Sequence, residues 1–109
     1  MTELRLLAAP ASTQSIPTGA GREDPVSMGP AAARKARRSA ECLADVVAIE
    51  LLCAAEAVDQ LRPLRTSPAL ERAHAAVRGV VPPLTADRAL AADVRRMGEL
   101  VRSGAFRAA

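Results

Sequence analysis

From Val26 to Leu61 nothing in the sequence stops a helix except Gly29 and Pro30, and both fall in its first turn, where proline is tolerated. Ser27 can cap the start. The run ends at Arg62–Pro63, because the residue before a proline avoids the helical region. A helix of some 30 residues extends about 45 Å. That is too long to be covered within a chain of 109 residues, and helices of this length usually belong to bundles or coiled coils. The expected fold class is all-α.

At about 100° per residue, Arg34, Arg38, Glu41, Asp45, Glu56 and Asp59 share one side of this helix. Leu43, Val46, Val47, Ile49, Leu52, Cys53, Ala54 and Ala57 spread over most of the rest. So wide an apolar arc calls for neighbours on several sides. Glu50 points into the arc, opposite the charged side. A buried carboxylate needs a partner, and a structural ion pair with an arginine is expected.

Two shorter helices follow. Ser67 and Pro68 open one over residues 67–81, with Leu70, His74, Val77 and Val81 on one face and Pro82–Pro83 ending it. The other is predicted over 90–103, with the stripe Leu90, Val94, Met97 and Val101 and with Gly104 as its C-cap. There is no alternating β pattern and no internal repeat. The expected architecture is one segment over 1–109: an irregular stretch at 1–25, the long helix at 26–61, and the two shorter helices folded back on it. They cannot cover all of it, so an isolated monomer is expected to expose apolar surface. Phe106 is the one aromatic residue. The apolar half is mostly Ala, Leu and Val, which suits close helix–helix approach rather than a bulky core.

A net charge of +3 does not call for a polyanionic partner. The cluster Arg34-Lys35-Arg37-Arg38 has the look of a basic patch. No aromatic residues interleave to stack bases, and Glu41 and Asp45 lie one turn on, placed for ion pairs with it. A solvated or subunit-contacting face is expected, with no nucleic acid. Cys42 and Cys53 are eleven residues apart, about 16 Å along a helix and too far for a disulfide. They read as small buried side chains of a reducing cytoplasm. The apolar run after Met1 is too short for a signal peptide. Asp45, Glu50 and Glu56 argue against a membrane span in the long helix. His74, the only histidine, lies on an apolar stripe with no cysteine or carboxylate at ligand spacing. A structural histidine is expected rather than a metal ligand or a base. Gly19-Ala20-Gly21 follows no strand and lacks the Lys-Ser/Thr of a phosphate loop. No metal, cofactor-binding or substrate-binding residue is assigned.

That leaves "SIPTGAGREDPVSMG", Ser15 to Gly29, with Pro17, Pro25, the adjacent Glu23–Asp24 pair beside Arg22, and no apolar periodicity. It is either a disordered tail or a shaped loop whose supports lie elsewhere. A carboxylate at Glu23 can orient a substrate amine or take part in proton transfer. Equally, a carboxylate near the start of the following helix is favourable for dipole reasons alone.

The stretch resembles the C-terminal signature of histidine ammonia-lyases, in the aromatic amino acid ammonia-lyase family, whose usual form is close to S-I-P-T-S-A-N-Q-E-D-H-V-S-M-G. The likeness continues through "AAARKARR" (31–38), "VVAIELLCAAEAVD" (46–59) and "RPLRTSPALERAHAAVRGVVPPLTADRALAADV" (62–94), and it includes "LRLLAAPAST" ahead of the signature. It implies that the loop lines an active site and that the long helix belongs to the central bundle of a cytoplasmic homotetramer, with active sites built from several subunits. Glu23 matches a glutamate implicated in substrate handling, and is the one catalytic candidate. The family reaction, a step of histidine catabolism, takes L-histidine to trans-urocanate and ammonia. Its electrophile is a methylidene-imidazolone made from an Ala-Ser-Gly tripeptide, assisted by tyrosines, an asparagine and an arginine.

This sequence departs from that pattern. It has no Ala-Ser-Gly and no tyrosine. Within the signature the family's glutamine is Arg22, its histidine is Pro25, and two small positions are Gly19 and Gly21. Arg22 is expected to neutralise Glu23 and compete for its oxygens, and Pro25 cannot make a histidine's hydrogen bonds. The expected function is the C-terminal part of a histidine ammonia-lyase-like enzyme, not catalytic alone. The alternatives are a subunit of a split lyase completed by an N-terminal partner chain, a helical interaction protein packing into a related lyase tetramer, and a remnant of an aromatic amino acid lyase or aminomutase. The expected partners are other lyase-type helical subunits or a second copy of this chain.

Overall fold

Ser27 and Ser67 each place a hydroxyl where a helix begins. Ser27 Oγ accepts from the Gly29 amide at 3.2 Å, and Ser67 Oγ accepts from the Leu70 amide at 3.4 Å, so each relieves an amide with no partner inside its helix. In the computed structural model, which describes residues 1–23 and 25–106, these caps open α2 (Gly29–Gln60) and α3 (Pro68–Arg78). Asp24, named above beside Glu23, lies outside the described residues. α4 runs from Ala91 to Arg102; Gly104, with φ +81, turns the chain beyond it. The described residues are all-α, with no strand.

The N-terminal stretch differs from the expectation that residues 1–25 are irregular. A short helix, α1, spans Thr2–Leu7, and single helical turns occupy Ala11–Thr13 and Gly19–Gly21. Six residues are too few to hold a helix by propensity. Tertiary contacts support α1 instead. Glu3 in its first turn meets Arg38 Nε at 2.6 Å, and Lys35 Nζ donates to Ala9 O just beyond its end. The Arg38 hydrogen bond holds the Glu3 carboxyl below its ordinary value.

The chain divides into two compact units, Met1–Leu43 and the residues from Ala44 onward. No described residue of the first unit is buried. The second holds the core: Ala48, Ala55, Val77, Val81 and Met97, with Leu51, Leu52, Val80, Leu100 and Phe106 packed around them. Small residues let the helices approach. A Cβ on Gly98 of α4 would stand 3.0 Å from Asp45 Oδ1 on α2, and the Asp45–Arg102 pair at 3.5 Å passes over this contact. Asp93, in the first turn of α4, is 4% exposed. Its charge is met by Arg88, whose other arm donates to Pro82 O at 3.1 Å, tying down the connection between α3 and α4.

Several expectations from periodicity are overturned. Glu50 is exposed and makes no ion pair among the described residues, because no helix lies over its side of α2. For the same reason Cys53 is exposed and Cys42 only half-buried, where both were expected in the interior. Leu70 and Leu90, expected on the packed stripes of the shorter helices, are also exposed, whereas exposure of Leu43 and Ile49 agrees with the apolar surface that those helices were expected to leave uncovered on α2. Asp45 pairs with Arg102 rather than with the Arg34–Arg38 cluster. Glu41 alone takes the expected helix pairs, at 3.2 Å to Arg37 and 3.3 Å to Arg38.

Met97 is the largest side chain at zero exposure and reaches the core from α4. Met97→Ala should lower the unfolding free energy by about 2–5 kcal/mol, measured by urea denaturation. A change below about 1 kcal/mol would mean that α4 does not pack as described.

Candidate functional site

Two cross-links shape the loop between Ser15 and Val26. At its neck, Ser15 Oγ accepts from the Val26 amide at 2.9 Å and donates to Val26 O at 3.3 Å. At its tip, Thr18 Oγ1 donates to Glu23 Oε2 at 2.9 Å. Between Thr18 and Glu23 the backbone runs left-handed through three successive residues, with φ of +56 at Gly19, +55 at Ala20 and +82 at Gly21. Backbone bonds close the turn, from Gly21 N to Thr18 O at 2.9 Å and from Arg22 N to Gly19 O at 3.2 Å. Glycine adopts these angles freely, whereas an L-residue such as Ala20 is strained. The stretch is therefore a shaped loop.

Glu23 is exposed at the tip. The expected pairing with Arg22 is absent: among the described residues Arg22 makes no ion pair, and the carboxylate turns back to Thr18. The left-handed turn folds Glu23 over Gly19, whose missing side chain leaves room. A Cβ there would stand 3.7 Å from Glu23 Cδ. Beside the neck lies an open cleft of about 490 Å³ lined by Ser12, Gln14, Pro25, Met28 and neighbouring residues. Glu23 does not line it. Thr18 was passed over in reading the sequence. Its signal is a hydroxyl five residues before a carboxylate with two glycines between them.

The second concentration of charge sits where α2 meets α3. Asp59 accepts from His74 Nε2 at 2.7 Å and from Arg78 Nε at 2.7 Å. Arg78 Nη2 also reaches Glu56 at 2.8 Å, and Glu56 in turn accepts from the Leu84 amide at 3.0 Å. Arg62 grips Glu71 with both arms, at 2.9 and 3.0 Å, and Arg62 Nη2 lies 3.4 Å from His74 Nδ1. A guanidinium can only donate, so Nδ1 accepts and Nε2 carries the proton given to Asp59. His74 is thus a structural histidine. No group of three or more His, Cys, Asp or Glu side chains among the described residues is arranged to hold a metal. Burial pushes the Asp59 carboxyl up, but hydrogen bonds from Arg78 and His74 outweigh it and hold the group below its ordinary value. The Arg62 hydrogen bond, followed by that from the Thr66 amide, brings Glu71 down to about 2.

Fold and loop together define a class: an all-α chain that carries a glycine-turned loop, with the Glu23 carboxylate exposed at its tip, ahead of a 32-residue helix. The chain belongs to the aromatic amino acid lyase family, whose sequence profile matches residues 1–79. It is 50% identical over all 109 residues to histidine ammonia-lyases of Symbiobacterium thermophilum and Sorangium cellulosum, covering 22% and 21% of those proteins. The crystal structure of histidine ammonia-lyase from Trypanosoma cruzi superimposes with a TM-score of 0.90 at 44% identity, over 96% of this chain and 21% of that one. Tyrosine aminomutase from Streptomyces globisporus superimposes with a TM-score of 0.84 at 41% identity, over 90% and 19%. The chain thus spans about a fifth of the length of the relatives it matches. No helix of the described residues is long and apolar enough to cross a membrane.

The Glu71 value gives a pH signature. A carboxyl whose folded value lies below its ordinary 4.5 contributes stability that is complete above that value and is lost as pH falls through the folded value. Glu71→Gln should therefore destabilise the chain at pH 6, and the difference should shrink steadily between pH 4.5 and about 2. Urea titrations of both proteins across this range check it. A difference independent of pH would remove the ion pair as the cause.

Proposed function

We propose that this chain is the C-terminal part of a histidine ammonia-lyase-like enzyme, in which the Ser15–Val26 loop presents Glu23 to the substrate. The observation that carries this reading is 50% identity to histidine ammonia-lyases over the entire chain, loop included. A carboxylate on an exposed loop tip can accept hydrogen bonds from a substrate amine and hold or move a proton there. It cannot by itself make an amine leave.

The family's electrophile does not fit these residues. No Ala-Ser-Gly occurs in the chain. Its one Ser-Gly, Ser103–Gly104, follows Arg102 at the end of α4, and Ser103 Oγ is bonded to Leu100 O at 2.7 Å. We therefore read the chain as inactive by itself and as completed by other lyase-type helical subunits, among them a second copy or a partner chain that carries the electrophile. The exposed apolar residues of α2, Leu43 and Ile49, favour this over a free-standing helical protein. The likeness to a tyrosine aminomutase supports a second reading, in which the substrate is another aromatic amino acid.

Purified chain incubated with L-histidine should produce no urocanate, followed by its absorbance. Turnover above a heat-killed control would refute the reading of inactivity. Apolar burial contributes roughly 25 cal/mol per Å², so the chain should also associate as its concentration rises. Sedimentation showing a monomer throughout, with no binding of a hydrophobic dye, would count against the assembly.

A further inference from the structure

We propose that Thr18 is the positioning residue for Glu23: its hydroxyl, delivered by the left-handed turn at Gly19–Gly21, fixes the carboxylate in the orientation from which it meets a substrate. The inference rests on the reading of Glu23 as the substrate carboxylate and adds a residue that the reading does not contain.

Three observations carry it. The Thr18 Oγ1 to Glu23 Oε2 bond is 2.9 Å long, within the range of a hydroxyl-to-oxygen hydrogen bond. It takes up Oε2 alone; Oε1 has no hydrogen-bond partner among the described residues and is left to accept from a ligand. The backbone between the two residues is shaped to bring them together. Positive φ at three residues in a row turns the chain back with left-handed sense and lays the Glu23 side chain against Gly19. Without the hydroxyl, no other hydrogen bond among the described residues holds the long, rotamer-rich glutamate. Arg22, the nearest cation in sequence, makes no ion pair with it.

Thr18→Val keeps the shape of the side chain and removes the donor; Thr18→Ser keeps the donor. In the full 109-residue chain, side-chain NMR couplings and order parameters at Glu23 should report one rotamer in the wild type. They should report averaging in Thr18→Val and one rotamer again in Thr18→Ser. Amide shifts in α2 and α3 should be unchanged in both, which separates positioning from folding. A Glu23 already averaged in the wild type, or still fixed in Thr18→Val, would overturn the proposal. The reading of Glu23 itself is tested separately, by joining the full chain to the N-terminal four-fifths of a histidine ammonia-lyase. There, Thr18→Val should lower kcat about tenfold with KM little changed, and Thr18→Ser should restore it. If Glu23→Gln leaves turnover intact in that enzyme, the substrate role fails while the Thr18–Glu23 bond stands.

Discussion

The carboxylate of Asp59 holds the second unit of this protein in one arrangement. The core there is small: alanines, valines and one methionine. Side chains of that size bury area without specifying orientation, because valine and alanine surfaces slide past one another at little cost. Arg78 and His74 come from α3 and converge on one carboxylate of α2, which sets the helices in register. Such a half-buried cluster adds little net stability, since the cost of partly desolvating its charges offsets much of its Coulomb gain. Its contribution is to direction. Glu56 extends the same logic to the chain beyond α3, by accepting from both Arg78 and the Leu84 amide. Every buried side-chain polar atom of the described residues has a partner, so the charges are placed without orphaning any group.

Much of this was legible in the sequence. The presence of the long helix and the start of α3 were, because caps act locally: Ser67 and Pro68 fix where α3 starts whatever else is near, although α3 ends at Arg78 with Gly79 as its C-cap rather than at Pro82–Pro83 as expected. The burial pattern was not. Helical periodicity tells which residues share a face of α2 but not whether anything covers that face. Glu50 and Cys53 fall within an apolar arc, and both are exposed. The α1 helix escaped notice for a related reason. Six residues carry no periodic signal, and what supports them, Arg38 and Lys35, lies some 30 positions away. His74 was read as structural, but its partner Asp59 was counted on the charged side of α2 without being seen as the residue that faces α3.

The exposed residues are not scattered. Leu43, Glu50, Ala54 and Ala57 follow one another along a single side of α2, where a monomeric protein would place charge. An apolar strip with a carboxylate in its midst has a physical requirement: whatever covers it must bring a cation or water to Glu50.

The loop shows how departures from a family pattern can mislead when they are read one at a time. Gly19, Gly21, Arg22 and Pro25 together look like decay. The geometry separates them. At φ of +56 and +82, side chains on residues 19 and 21 would each cost about 1–2 kcal/mol. Glycine removes that cost and adds about 0.5–1 kcal/mol of lost freedom on folding. The two substitutions therefore favour the left-handed turn slightly rather than weaken it. Arg22 is neutral toward Glu23 because the same turn carries the carboxylate to Thr18. Pro25 lacks an amide to donate, yet the neck bond next to it uses the amide of Val26 and loses nothing. What remains of the departures is chemical rather than structural: a proline in place of an imidazole at position 25, and a sequence without Ala-Ser-Gly. The loop's geometry thus turns on one pair, the Thr18 hydroxyl and the Glu23 carboxylate, which the departures at positions 19, 21, 22 and 25 leave in place.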